Sequence, residues 1–146
     1  MFEVHIYISI NSNSPRVSEK QYGYVLETQV LGNPRTCEGF GTLTSTYHKA
    51  VLTALVEAMK RLNQSCEVHI HTEDRFVLSM LKNNAPQWAE NDFKNNKGSS
   101  IANREEWEEL LNLVSRHIVI PVHGTHAYDN WIKEVLKNPE VLGNPK

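Results

Sequence analysis

Cysteine is scarce in this chain. Cys37 and Cys66 are the only two, which excludes a disulfide framework, and their spacing matches no zinc motif, so both thiols are expected to be reduced. No run of about 18 apolar residues occurs, and no membrane-spanning helix is expected. The amino terminus MFEVHIYISI lacks a basic n-region and alternates in polarity, which reads as a strand instead of a signal peptide. A cytoplasmic protein without membrane contact is the expectation. Basic charge is also lacking: 15 Lys and Arg against 17 Asp and Glu leave a net charge of -2. That balance leans against tight, unspecific nucleic-acid binding, which draws on phosphate neutralisation. What is present is enough apolar material, 40% of 146 residues, to build the core of one domain without staples.

The chain opens with Val4, Ile6, Ile8 and Ile10 alternating with His5, Tyr7 and Ser9, the period of a strand with one buried face. Gln21 to Gln29 and Thr36 to Thr44 carry β-branched and aromatic residues around the turn signals Gly32, Asn33 and Pro34, and are expected to pair as an antiparallel hairpin. Thr44, Ser45 or Thr46 caps a helix running from His48 to Leu62, with Val51, Leu52, Leu55, Met59 and Leu62 at helical spacing. The run Glu67 to Thr72 is a strand ending in the acidic pair Glu73 and Asp74. Helices are predicted over Asp74 to Lys82, over Glu105 to Arg116 and from Asp129 onward, and a last strand over His117 to Val122. Residues 1–137 form one expected domain and 138–146, with two Asn-Pro pairs, a frayed tail.

Taken in order, VHIYISINS, YGYVLE, TSTYHKAVLTALVEAM and CEVHIHTEDRFV resemble the first two strands, the first helix and the fourth strand with its TDS-type ending of the ribonuclease H-like family. The chain resembles the bacterial type 1 members, whose basic handle corresponds in place to Trp88 to Trp107. The resemblance implies an α/β fold: a five-stranded mixed sheet, three antiparallel strands followed by two parallel ones, with helices on both faces. It also implies hydrolysis of the RNA strand of RNA/DNA hybrids by two Mg²⁺ ions held by four carboxylates. Two dications about 4 Å apart require dense negative charge and oxygen ligands.

Carried over residue by residue, those four positions fall on Ser9, His48, Glu73 and Asp129. Two of the four carry no carboxylate. Asp74 substitutes for Glu73 by a small shift, and Lys133 replaces Asp129 if the last helix slips by one turn; Asp129 is preferred because Trp131 and Ile132 then take the family's apolar places. With at most two acids against a metal charge of roughly +4, a two-metal centre is not sustained, and losing two such contributors costs about 10⁴-fold in rate. The implied protein is catalytically impaired or inactive, retained for binding an RNA/DNA hybrid or a protein partner. The alternatives are a divergent metal-dependent ribonuclease H and a protein-interaction module with no nucleic-acid role. In the enzyme alternative, Glu73, Asp129 and His48 hold one divalent ion, Mg²⁺ or Mn²⁺, with the nitrogen donor moving preference toward Mn²⁺ or Zn²⁺.

Gly23, Thr44 and Ser45 stand where the family touches nucleic-acid backbone, and Lys94, Lys97 and Arg104 give the handle stretch basic character. Each has a plainer alternative: Gly23 marks a bulge or close packing, Thr44 and Ser45 cap a helix, and Glu90, Asp92 and Glu105 dilute the lysines. Alternation places His69, His71 and Glu73 on one strand face, where His5, His69 and His71 are either packed against a helix or solvated. His123 and His126 flank Gly124 in the loop where the family carries a mobile histidine assisting product release.

Overall fold

The computed structural model describes residues 2–84 and 102–138. Five strands form one sheet in the order β3-β2-β1-β4-β5. β1 (Phe2–Ile10) pairs antiparallel with β2 (Ser18–Val30), which pairs antiparallel with β3 (Asn33–Ser45). On its other side β1 runs parallel to β4 (Cys66–Thr72), and β4 parallel to β5 (Ile118–His123). This is the five-stranded mixed sheet that the sequence implied. The parallel half exists because α1 (Tyr47–Met59) carries the chain back across the sheet between β3 and β4.

Alternation on β1 decides which face is the main core. Val4, Ile6, Ile8 and Ile10 meet Tyr22, Tyr24, Leu26, Val68 and Ile70 beneath α1, whose Ala50, Val51, Leu52, Ala54 and Leu55 are wholly shielded from solvent. Next to α1 lie α2 (Arg75–Ser79), prolonged by a π-helical turn over Met80–Asn84, and α3 (Arg104–Val114) with its buried Trp107 and Leu110. The opposite face has one described helix, α4 (Asp129–Lys137), which seats Ile132 and Leu136 on Tyr7 and Val25. No helix among the described residues is long and apolar enough to cross a membrane.

Several boundaries differ from the sequence expectation. The hairpin strands run to Val30 and Asn33 around the two-residue turn Leu31–Gly32, both at positive φ, so Asn33 and Pro34 belong to β3 instead of the turn. Pro34 is tolerated because β3 is a sheet edge. Of the three capping candidates, Thr46 accepts the bond from the Lys49 amide, while Ser45 is buried at the end of β3 with its hydroxyl on the Thr46 carbonyl. The helix ends at Met59, and tight turns carry the chain on to Leu62. Regular α-helix after β4 is likewise shorter than expected, giving way to the π turn at Met80. Both cysteines are free thiols.

Gly23 lies on β2 directly under α4. A Cβ there would stand 2.6 Å from Ile132 Cγ2 and 2.9 Å from two Phe40 ring carbons, closer than packed carbons approach. Gly23→Ala is therefore expected to destabilise the fold by about 1–3 kcal/mol through overpacking. Urea denaturation checks this, and an unchanged midpoint would show that α4 does not press on this strand.

Candidate functional site

The four positions matched from sequence converge at the C-terminal ends of β1 and β4, but their side chains separate into three pairings. Ser9, 4% exposed on β1, donates a short hydrogen bond to Asp129 Oδ1 on α4. His126 Nε2 donates to the Ile8 carbonyl at 2.9 Å and approaches Ser9 Oγ at 3.1 Å, while its Nδ1 accepts from the Tyr128 amide at 3.2 Å. Asp129 Oδ2 accepts from the His126 amide at 3.0 Å. Every oxygen and nitrogen in this cluster is thus used, in a pocket where a bare carboxylate would be costly.

That arrangement resembles a nucleophilic triad in composition only. Nδ1 is an acceptor, so the proton sits on Nε2, the nitrogen nearest Ser9, and His126 cannot take the serine proton. Nor is the hydroxyl reachable, since the side chain of His126 is 1% exposed and that of Asp129 9%. Of the two histidines that flank Gly124, His126 is held by these bonds and His123 is exposed.

The second pairing joins His48, in the first turn of α1, to Asp74. His48 Nδ1 donates to Asp74 Oδ2 at 2.7 Å, and Asp74 Oδ1 caps α2 by accepting from the Val77 amide at 3.1 Å. Asp74 is 2% exposed and spent on these two tasks. The third pairing is at the surface, where Lys133 Nζ lies 3.6 Å from Glu73 Oε1. The residue of α4 that pairs with Glu73 is therefore Lys133, while Asp129, the preferred match to the fourth position, bonds Ser9. His48, Glu73 and Asp129 do not form one ligand set: among the described residues the only three His, Cys, Asp or Glu side chains with ligating atoms within 4.8 Å of one another are Glu3, His5 and His69.

Between Lys133 and the turn after β1 runs a groove of about 410 Å³, lined by Ser9, Asn11, Ser12, Tyr47, Glu73 and Lys133 among others. Burial first, then the charge of Asp74 and Glu73, pushes the Tyr47 phenol up, so it stays protonated. Sequence reasoning missed Tyr47 and the Asn11–Ser12 turn; the polar run Asn11 to Ser14 straight after an apolar strand was the available signal. Of the residues assigned to nucleic-acid contact, Thr44 is exposed, Ser45 and Gly23 are buried, and Lys94 and Lys97 lie outside the described residues.

A sequence profile of the RNase H family matches residues 4–134. The chain belongs to the ribonuclease H family. It is 25% identical over 112 residues to a ribonuclease H of Caldicellulosiruptor saccharolyticus, covering 73% of this chain and 77% of that one. With a ribonuclease HI of Xylella fastidiosa it is 29% identical over 97 residues, 66% of this chain and 64% of the relative. Among solved structures, a type 1 RNase H with the type 2 active-site motif superposes with a TM-score of 0.74 at 19% identity, over 92% of this chain and 70% of that one. The PFV RNase H domain superposes at 0.63 and 17%, over 99% and 92%. These neighbours bear out the ribonuclease H fold read from the sequence.

On the same sheet face His71 stacks on Tyr7, ring centroids 4.4 Å apart. Burial first, then the neighbouring His5, His126 and His69, pushes its pKa from the ordinary 6.5 down to about 4. As pH falls, the unfolded chain takes up this proton before the folded one. The contribution of His71 is thus fully present above its unfolded pKa and is lost as pH falls from 6.5 toward 4. The urea midpoint is expected to drop more steeply over that window in the wild type than in His71→Phe; parallel slopes would contradict the burial of a neutral ring.

Proposed function

We propose that this ribonuclease H-family domain binds nucleic acid of the RNA/DNA hybrid class without cutting it by a two-metal route. The observation that carries the reading is Lys133 at the groove, an ammonium 3.6 Å from Glu73. A two-metal centre needs several carboxylates free to face the ions. Here Ser9 brings a hydroxyl, His48 an imidazole already bound to Asp74, and Asp129 a carboxylate saturated by Ser9 and His126. Glu73 is the one matched acid with an exposed carboxylate, and its nearest charge is positive. Residues so committed do not fit two Mg²⁺ ions.

The same groove suits a phosphodiester backbone. Lys133 supplies the positive charge, and Asn11, Ser12 and the protonated Tyr47 line the wall with neutral hydrogen-bonding groups. The foamy viral protease-reverse transcriptase in complex with an RNA/DNA hybrid is similar in fold, with a TM-score of 0.65 at 20% identity over 91% of this chain and 19% of that one. The modest overall charge implies weak, salt-sensitive binding instead of a tight grip.

The test uses a labelled RNA/DNA hybrid with Mg²⁺ and, separately, Mn²⁺. No cleavage is expected in either metal, with binding that weakens as salt rises. Lys133→Gln is expected to weaken that binding and to lower the salt slope by about one. Cleavage abolished by Glu73→Gln would overturn the reading in favour of a divergent nuclease, and absence of any binding would leave a protein-interaction role.

A further inference from the structure

Two identical tetrapeptides occur in this chain, Glu3-Val4-His5-Ile6 and Glu67-Val68-His69-Ile70. The sheet sets them side by side in parallel and in register: Glu3 opposite Glu67, Val4 opposite Val68, His5 opposite His69, Ile6 opposite Ile70. Alternation sends the valines and isoleucines into the main core and both Glu-His pairs to the other face. The Ile132 and Leu136 seat of α4 is on Tyr7 and Val25, which leaves this ladder accessible. The side chains of Glu3, His5 and His69 are 57%, 28% and 18% exposed.

The donor atoms already converge. His5 Nε2 lies 2.7 Å from Glu3 Oε2, and His69 Nε2 lies 2.8 Å from Glu67 Oε2 and 3.7 Å from Glu3 Oε2. The two imidazoles stack with centroids 4.4 Å apart and planes 19° from parallel. Behind them His71 Nε2 sits 2.8 Å from His5 Nδ1 and orients that ring, the usual task of an outer partner of a metal-bound imidazole.

We propose that this ladder binds one borderline transition-metal dication of the Zn²⁺ class, through His5 Nε2, His69 Nε2 and Glu3, with Glu67 as the fourth ligand. Tetrahedral Zn²⁺ with nitrogen and oxygen ligands near 2.0–2.1 Å separates its donors by roughly 3.3 Å; the ligating atoms of Glu3, His5 and His69 already lie within 4.8 Å of one another, and Glu67, 2.8 Å from His69 Nε2, turns in to complete the set. Two imidazoles and two carboxylates select Zn²⁺, Ni²⁺ or Cu²⁺ over Mg²⁺ and Ca²⁺. The ion takes the place of the protons between the two Nε2 atoms and Glu3 and Glu67; each imidazole stays neutral by carrying its one proton on Nδ1, which on His5 is donated to His71 Nε2. Bound there, it joins β1 to β4 and stabilises the fold by mass action. The nearest ligand on β1, His5, is four residues from Ser9, roughly 13 Å at strand rise, so the site is tested separately from hybrid binding.

The experiment uses the untagged, chelator-stripped full chain. Zn²⁺ is titrated by calorimetry, Co²⁺ by its visible absorption, and thermal unfolding is followed with and without Zn²⁺. One equivalent is expected, with the strong visible bands of four-coordinate Co²⁺, a raised Tm, and no displacement by excess Mg²⁺. His5→Gln and His69→Gln should each lower affinity by at least the tenfold to hundredfold that loss of an outer partner already costs. His123→Gln, an exposed histidine off the ladder, should leave it unchanged. Circular dichroism of each variant confirms that it is folded. No saturable binding, or an equivalent that survives both ladder substitutions in folded protein, would overturn the proposal.

Discussion

Asp129 is the carboxylate on which the second face of this protein depends. It sits at the first turn of α4, 6% exposed, and takes hydrogen bonds from the Ser9 hydroxyl and the His126 amide. Its charge there also complements the helix N-terminus. A nine-residue helix that buries Ile132 and Leu136 has little apolar area with which to fix its own register. The buried carboxylate supplies the missing specificity, because any slip along β1 would strand it without donors. With Asp129 pinned, Ile132 falls on Tyr7 and Val25, and Lys133, one turn on, emerges toward Glu73. The anchor on Ser9 therefore decides that an ammonium, not an acid, meets the groove.

Most of the fold was legible in the sequence because it rests on long periodic segments. The alternation from Phe2 to Ile10, the helical spacing of Val51, Leu52, Leu55 and Met59, and the run Cys66 to Thr72 each sit where the pattern put them. Errors gathered where pattern is silent. Ser18, Glu19 and Lys20 at the start of β2 and Asn33 to Arg35 at the start of β3 look like loop residues, yet the hairpin extends through them since backbone pairing needs no apolar face. The π turn at Met80 leaves no periodic trace of its own.

The site was legible by position and not by connection. Sequence singled out Ser9, His48, Glu73 and Asp129, but not which side chain bonds which: Ser9 takes Asp129, His48 takes Asp74, and Glu73 faces Lys133. A helix shift of one turn exchanges Asp129 for Lys133 while keeping the same stripe inward, so periodicity alone has no means of choosing. His126 was read as a loose loop residue because the Ile8 carbonyl and Tyr128 amide that hold it are backbone groups, invisible to side-chain pattern. The duplicated Glu-Val-His-Ile is present in the letters, yet it becomes a cluster only through the parallel register of β1 and β4.

Closure of the Ser9, His48, Glu73 and Asp129 positions by internal hydrogen bonds and a cation underlies the proposed function. Its most direct test is an amide NMR titration with Mg²⁺, followed at Ser9, Glu73, Asp74 and Asp129. Shifts that grow linearly with salt and never saturate, at these residues no more than elsewhere, are the predicted result. Saturable shifts confined to these residues, with loss of the Ser9–Asp129 contact, would contradict it.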